Sequence, residues 1–274
     1  MGGSAYRERV VTKRSGMPPA HPRRSSADPF PPLPVRRVER RADGALPADT
    51  WPLTLAPIAQ LVREGLDLGP ATVLVGANGS GKSTLVEGIA MAFGLAPEGG
   101  STGARHRSYD SESPLHEALQ IIRGPGGSRW GYFVRAETMH ALMGYLDASA
   151  ADSYTRDPTF HRFSHGESFL ALMQTSRFRG EGFFVMDEPE AGLAFEAQLT
   201  LVGRLTELSR RRGAQVLVAT HSPIIASLPG AQLLELDGTG IHPVAWDDLS
   251  VVDHYRRFLA APRQYLRHVL DGLD

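Results

Sequence analysis

Gly76-Ala77-Asn78-Gly79-Ser80-Gly81-Lys82-Ser83-Thr84 is the stretch on which the fold turns. It fits G-x-x-x-x-G-K-S/T, and it lies between a compact apolar run, Ala71–Val75, and a segment with apolar residues at helical spacing, Thr84–Phe93. A buried strand, a glycine-rich turn and a helix in that order form a phosphate cradle. Glycine lets the backbone curl so that its N–H groups converge on phosphate oxygens. The helix that follows turns its positive end to the same anion. Lys82 brings a point charge to the β- and γ-phosphates, and the Ser83 hydroxyl is suited to ligate Mg²⁺.

Outward from the cradle, the pattern alternates. Val35–Arg40 is predicted as a first edge strand, Ile58–Glu64 as a short helix, and Leu115–Ile122 as a helix within an otherwise loop-like stretch. Gly131–Ala136, Gly182–Met186, Gln215–Ala219 and Leu233–Leu236 read as strands. Glu137–Leu146 and Glu196–Arg212 read as helices, the latter stopped by Gly213, and Arg256–Leu270 closes the chain with helical patterns around Pro262. Strands that alternate with helices predict an α/β fold with a mostly parallel sheet. Residues 1–34 differ, with seven prolines and scattered Arg and Ser. Such a segment buries too little to offset its ordering entropy and reads as a disordered tail. Its basic excess raises contact with nucleic acid or anionic lipid, against the plainer reading of a solvated leader.

Composition narrows the classes. The chain has 274 residues, 42% of them apolar, and a net charge of -1. That suits one sizeable domain, here residues 35–274, and gives no global pull toward nucleic acid. The absence of cysteine excludes disulfides, thiol chemistry and Cys-based zinc sites. No run of about 18 apolar residues suggests a membrane span, and no apolar N-terminal stretch suggests a secretory leader. The cytoplasm is the compartment expected. Lysine occurs only at 13 and 82, so basic residues are nearly all arginine.

Three further motifs complete the reading. Phe183-Phe-Val-Met-Asp-Glu-Pro-Glu190 is four apolar residues followed by acids. Asp187, at the end of a core strand, is placed to hold Mg²⁺. Glu188, one residue on, is placed to polarise the attacking water as general base. His221, in Ala219-Thr-His-Ser-Pro223, follows another strand and is a candidate γ-phosphate or water ligand. Ser164, Gly166 and Glu167, in Phe163-Ser-His-Gly-Glu-Ser168, form either a second anion site at a helix start or an ordinary capping box.

These elements in this order resemble the ATP-binding cassette (ABC) ATPases. Ser164-His-Gly-Glu167 looks like a variant of their LSGGQ signature, Asp187-Glu-Pro189 matches their Walker B motif, and His221 their switch histidine. Within that class the chain is similar to small stand-alone bacterial ATPases. Those share the Ser-Glu-Ser-Pro-Leu-His-Glu, Tyr-Phe-x-Arg-Ala-Glu, Asp-Glu-Pro-Glu-Ala and Thr-His-Ser-Pro stretches found here at 111–117, 132–137, 187–191 and 220–223. The resemblance implies an ABC-like core with a small helical subdomain, and ATP with Mg²⁺ as ligands. It also implies a head-to-tail dimer in which Ser164 of one chain caps the ATP held by the P-loop of the other. Glu137 stands where the family's metal-sensing Gln is expected, with Gln120 a second candidate. Ala194 replaces the family's Asp in the loop after Walker B.

The coupled process stays open at this level: a nucleotide-binding subunit of a transporter, or a compact DNA-repair or defence ATPase, with an unidentified protein partner. The interval between Lys82 and Ser164 carries no sustained heptads, which excludes a long coiled coil. Arg105, Arg107, Arg123, Arg129 and Arg135 fall in the same interval and read as a nucleic-acid contact or as solvated surface. Trp51 is the candidate for stacking on adenine.

Overall fold

The computed structural model describes residues 31–44, 46–47, 49–102, 113–151, 159–163 and 165–270. In chain order the elements are β1 (Arg37–Arg40), α1 (Ala56–Glu64), β2 (Leu66–Asp67), β3 (Ala71–Gly76), α2 (Lys82–Phe93), β4 (Gly100–Ser101), α3 (Leu115–Ala118), β5 (Leu119–Ile122), β6 (Gly131–Arg135) and α4 (Met139–Ala151). They continue with α5 (His165–Gln174), β7 (Gly182–Asp187), α6 (Phe195–Ser209), β8 (Ala214–Thr220), α7 (Pro223–Ala226), β9 (Gln232–Asp237), β10 (Gly240–Pro243), α8 (Ser250–Ala260) and α9 (Pro262–Leu270).

The main sheet has seven strands in the order β10-β9-β3-β8-β7-β6-β4. Its five inner strands run parallel, and antiparallel β10 and β4 close the two edges. The inner strands are nearly continuous apolar runs because both faces are covered. Side chains alternate across the sheet. Phe183 and Val185 of β7, with Leu74, Leu217 and Leu234, face α1 and α2. Phe184 and Met186, with Val73, Val216 and Val218, face the second layer, which buries residues of α4, α5, α6, α7 and α8. The result is a three-layer α/β/α arrangement, as the alternation of strands and helices predicts. Full burial of an aromatic such as Phe183 or Phe184 contributes roughly 2–3 kcal/mol of transfer free energy.

Beside the α2 layer lies a second, antiparallel sheet, β2-β1-β5. Here the structure corrects two expectations. β1 is the central strand of this sheet and not an edge, since β2 and β5 both pair with it. The helix expected over Leu115–Ile122 stops at Ala118, and Leu119 turns extended, φ -102° and ψ 147°, to begin β5. The spacing of Leu115, Ala118, Leu119 and Ile122 suits a helix, but pairing with β1 satisfies the backbone of 119–122 and overrides it.

Leu33, Pro34 and Val35 are buried, and Gly124 N–H donates to Leu33 O, so the chain packs from Leu33 onward. The rest of the expected tail, residues 1–30, lies outside the described residues.

Gln215, 1% exposed in β8, ties the small sheet's leading segment to the main sheet. Its Oε1 accepts from Val35 N–H at 2.8 Å, and its Nε2 donates to Val35 O at 2.6 Å and Gly69 O at 2.9 Å. Gln215→Leu leaves these buried backbone groups without partners, and the expected destabilisation is about 2–4 kcal/mol. Urea unfolding measures it; a loss below about 0.5 kcal/mol, the scale of an ordinary surface substitution, would show that the tie carries no stability.

Candidate active site

The parallel ladder brings the ends of four strands to one level. Val75 lies opposite Thr220, Ala219 opposite Asp187, and Asp187 opposite Arg135. The loops leaving β3, β8, β7 and β6 therefore share one rim, the carboxyl edge where open α/β sheets place ligands.

At β3, Gly76 ends the strand and α2 starts at Lys82. Gly81, the N-cap of α2, has φ 94°, a left-handed conformation that favours glycine. Gly76 admits no side chain: a Cβ there would lie 2.3 Å from Leu236 O. The Lys82 side chain folds back over the loop, and its ammonium donates to Gly76 O at 2.8 Å and Ala77 O at 3.0 Å. Burial pulls the Lys82 ammonium below its usual range, while Glu188, Asp187 and Glu190 pull the other way. A phosphate here would meet a charged donor and backbone N–H groups, so the loop fits an anionic ligand. Ala77, Asn78, Gly79 and Ser80 form the turn, and a Cβ on Gly79 would meet nothing within 4 Å. Ser80 Oγ is buried and has no hydrogen-bond partner among the described residues.

Ser83 and Asp187 meet as expected, with Ser83 Oγ donating to Asp187 Oδ1 at 3.1 Å. A hydroxyl and a carboxylate side by side match the hard-oxygen donors that Mg²⁺ prefers. Asp187 is only 5% exposed. Burial pushes its carboxyl up to about 6, against the opposing pull of Arg135 and the Ser83 hydrogen bond.

Glu188 has φ 52°, the one non-glycine residue with positive φ among those described. A glutamate in the left-handed region is strained, and such strain concentrates at functional sites. Its N–H donates to Ala219 O at 2.9 Å, which anchors the turn to β8. Its Oε1 lies 3.2 Å from His221 Nε2. Thus the two residues expected at the reacting end do meet.

Two residues carry more than the sequence reading gave them. Arg135, grouped there with arginines of the surface, points inward. Its Nη1 lies 2.6 Å from Glu87 Oε2, its Nη2 3.4 Å from Glu137 Oε2, and its Nε 3.6 Å from Asp187 Oδ2. Arg123 also turns inward, 4.3 Å over the Phe93 ring, while Arg129 is exposed. Arg135 is thus engaged with carboxylates and Arg123 with a ring, Arg129 lies near enough to Arg123 to repel its charge, and Arg105 and Arg107 lie outside the described residues. Glu190 is the second such residue: its Oε1 accepts from His221 N–H at 2.6 Å and Ser222 N–H at 3.1 Å. A charged residue closing an apolar strand, and a third acid in Asp-Glu-Pro-Glu, were the available signals.

Glu137 is largely exposed and reaches the metal side of the site through Arg135. It follows two residues after Arg135, the strand partner of Asp187, and its charge contributes to the rise of the Asp187 carboxyl. Ser164 lies outside the described residues. Gly166 and Glu167 stand in the first turn of α5, and a Cβ on Gly166 would lie 2.8 Å from Leu193 Cδ2 and 3.0 Å from Gly192 O. The start of α5 therefore packs closely on the loop that follows Glu188. The 111–117 and 132–137 stretches meet at Glu87, which accepts from Ser113 N–H and pairs with Arg135. Trp51 is 53% exposed, on the segment that leads to Leu55 beside Gly81.

Residues 71–165 and 159–227 match the family model described as "AAA domain, putative AbiEii toxin, Type IV TA system". Among curated proteins, the chain is 29% identical over 197 residues to the zinc import ATP-binding protein ZnuC of Chelativorans sp., covering 67% of this chain and 62% of that protein. It is 29% identical over 199 residues to the cytochrome c biogenesis ATP-binding export protein CcmA of Rhizobium etli, covering 66% of this chain and 88% of that protein. Among solved structures, the SMC head domain from Thermotoga maritima aligns with a TM-score of 0.39 and 18% identity, covering 66% of this chain and 93% of that one.

The raised Asp187 carboxyl has a consequence for stability. Its folded-state value, about 6, lies above the ordinary aspartate value of 3.8, so the folded state holds the proton more tightly. Stability from this group is then greatest at low pH and falls as pH rises from about 4 through 6. Asp187→Asn removes that loss. With neither metal nor nucleotide added, the stability difference between Asp187→Asn and wild type is expected to move by about 1 kcal/mol in favour of the variant from pH 5 to 7.5. Urea unfolding at the two pH values checks it; a difference that stays constant, or moves the other way, contradicts the burial argument.

Proposed function

The chain belongs to the AAA-domain family whose model it matches and is an ABC-type P-loop ATPase; from that premise we propose that it binds ATP with Mg²⁺ and hydrolyses it as a head-to-tail dimer, with residues 35–274 as the ATPase unit. The observation that carries the site is the convergence of Lys82, Ser83, Asp187, Glu188 and His221 on one sheet rim, with Glu188 and His221 in contact at 3.2 Å.

In this reading the loop from Gly76 to Thr84 cradles the phosphates, and Lys82 exchanges its two carbonyl partners for phosphate oxygens. Ser83 and Asp187 would hold Mg²⁺, with Glu137 a further candidate ligand. Bound there, Mg²⁺ offsets phosphate charge and orients the triphosphate. Glu188 accepts a proton from the attacking water as its oxygen bonds to the γ-phosphorus. The bridging oxygen departs with ADP, leaving inorganic phosphate. His221, beside Glu188, keeps the carboxylate and the water aligned. The start of α5, with Gly166 and Glu167, and Ser164 just before it in sequence are the candidates for contact with the ATP of a second copy. A two-fold arrangement of that kind exchanges the same patches across one axis.

The cellular role rests on different observations. The names of the two ATP-binding relatives favour work beside transport subunits, and the family's description favours a toxin or defence system. No helix among the described residues is long and apolar enough to cross a membrane, which is compatible with a peripheral subunit in the first case. Fractionation from native cells distinguishes them: co-purification with integral membrane proteins supports transport, and isolation apart from membranes supports the second reading.

Lys82→Ala is expected to weaken ATP binding by about ten- to hundredfold, the worth of a charged hydrogen bond, with phosphate release at background. Normal turnover would refute the site. Glu188→Gln is expected to lower kcat by about two to four orders of magnitude while ATP stays bound. Light scattering should then find a dimer in ATP and a monomer without it; a monomer in both conditions would sink the sandwich.

A further inference from the structure

We infer that Glu190 is a positioning residue for hydrolysis, the brace that holds His221 against Glu188; this rests on the reading of Glu188 and His221 given above. Glu188 and His221 belong to different strands' loops, after β7 and β8, and their side chains meet 3.2 Å apart. The ladder fixes the strands only as far as Asp187 and Ala219, with one further bond from Glu188 N–H to Ala219 O. Beyond that point, the direct tie from the first loop to the backbone of His221 is the Glu190 carboxylate. Its Oε1 takes the N–H of His221 at 2.6 Å and of Ser222 at 3.1 Å.

The far side of that tie is rigid. Ser222 caps α7, its Oγ accepting from Ile224 and Ile225 N–H. The same hydroxyl donates to Gln198 Oε1 at 2.6 Å, and Gln198 Nε2 returns to Leu193 O at 3.0 Å. Residues 190 to 198 and 221 to 225 are therefore laced together, with Glu190 bonded directly to the backbone of His221. Carboxylate hydrogen bonds to backbone N–H are charge-assisted and directional. A loss of alignment of about 1 Å can cost about a hundredfold in rate. The second carboxylate oxygen, Oε2, is buried and has no hydrogen-bond partner among the described residues. The work is thus done by one acceptor oxygen, which an amide of the same length also supplies.

That geometry sets the test, made on the full chain by ATP turnover, ATP affinity and thermal unfolding. Glu190→Ala removes the acceptor and Glu190→Asp draws it back while keeping the charge. Both are expected to lower kcat at least tenfold with KM for ATP within about twofold, since the phosphate loop is untouched. Glu190→Gln keeps the acceptor at the same reach and is expected to rescue most of the lost turnover. In a His221→Ala background, Glu190→Ala should cost little more, because the brace then has nothing to align. Full activity in both Glu190→Ala and Glu190→Asp overturns the inference, and so does a loss that repeats undiminished in the His221→Ala background or tracks a fall in melting temperature across all three variants. If His221→Ala alone leaves kcat unchanged, the underlying assignment of His221 fails instead, and the two failures are told apart by that single variant.

Discussion

Parallel pairing of β3, β8, β7 and β6 is the constraint from which the rest of the structure follows. Each ladder fixes its neighbour's register, because a slip by one residue would turn every Phe and Val of a strand toward the wrong layer. With β7 buried through its whole length, that slip is prohibitive. Register then delivers Gly76, Thr220, Asp187 and Arg135 to one rim, and each loop beyond the rim begins from a fixed point. The site is built by short loops on a frame that cannot shift.

The rim gathers more negative charge than a half-buried site normally holds. Among the described residues, Asp187, Glu188, Glu190, Glu87 and Glu137 have Lys82 and Arg135 as their nearby Lys and Arg cations. Each cation has a distinct task. Arg135 is committed to carboxylates through its guanidinium and holds Asp187 from the side. Among the described residues Lys82 is bound by two carbonyls, weaker partners that a phosphate readily replaces. The surplus of carboxylate is what a divalent cation would relieve, and burial of Asp187 makes that relief large.

The sequence made the main sheet legible because buried parallel strands leave apolar runs with abrupt ends, as in Phe183–Met186 before Asp187. The phosphate loop was legible for a related reason: its glycines and Lys82 are required by backbone shape and charge, so few alternatives exist. The small sheet was hidden. β2 is two residues long, and the apolar spacing over Leu115–Ile122 satisfies a helix as well as it does β5. Arg135 was misplaced since nothing local in Val134-Arg135-Ala136 tells that its partners are Glu87, distant in sequence, and Asp187 on the next strand. Glu190 was hidden similarly. Its partners are backbone N–H groups, which every residue has and no motif marks.

One further consequence lies in the backbone at Glu188. A left-handed residue there would be accommodated more comfortably by glycine or asparagine than by glutamate. On backbone grounds alone either residue would ease the turn, and either would remove the carboxylate that meets His221. Glutamate therefore sits in this turn at a local conformational cost. A chain with glycine or asparagine at 188 is expected to be at least as well folded as this one while lacking the carboxylate beside His221, so at this position ease of folding and the chemistry of the rim pull in opposite directions.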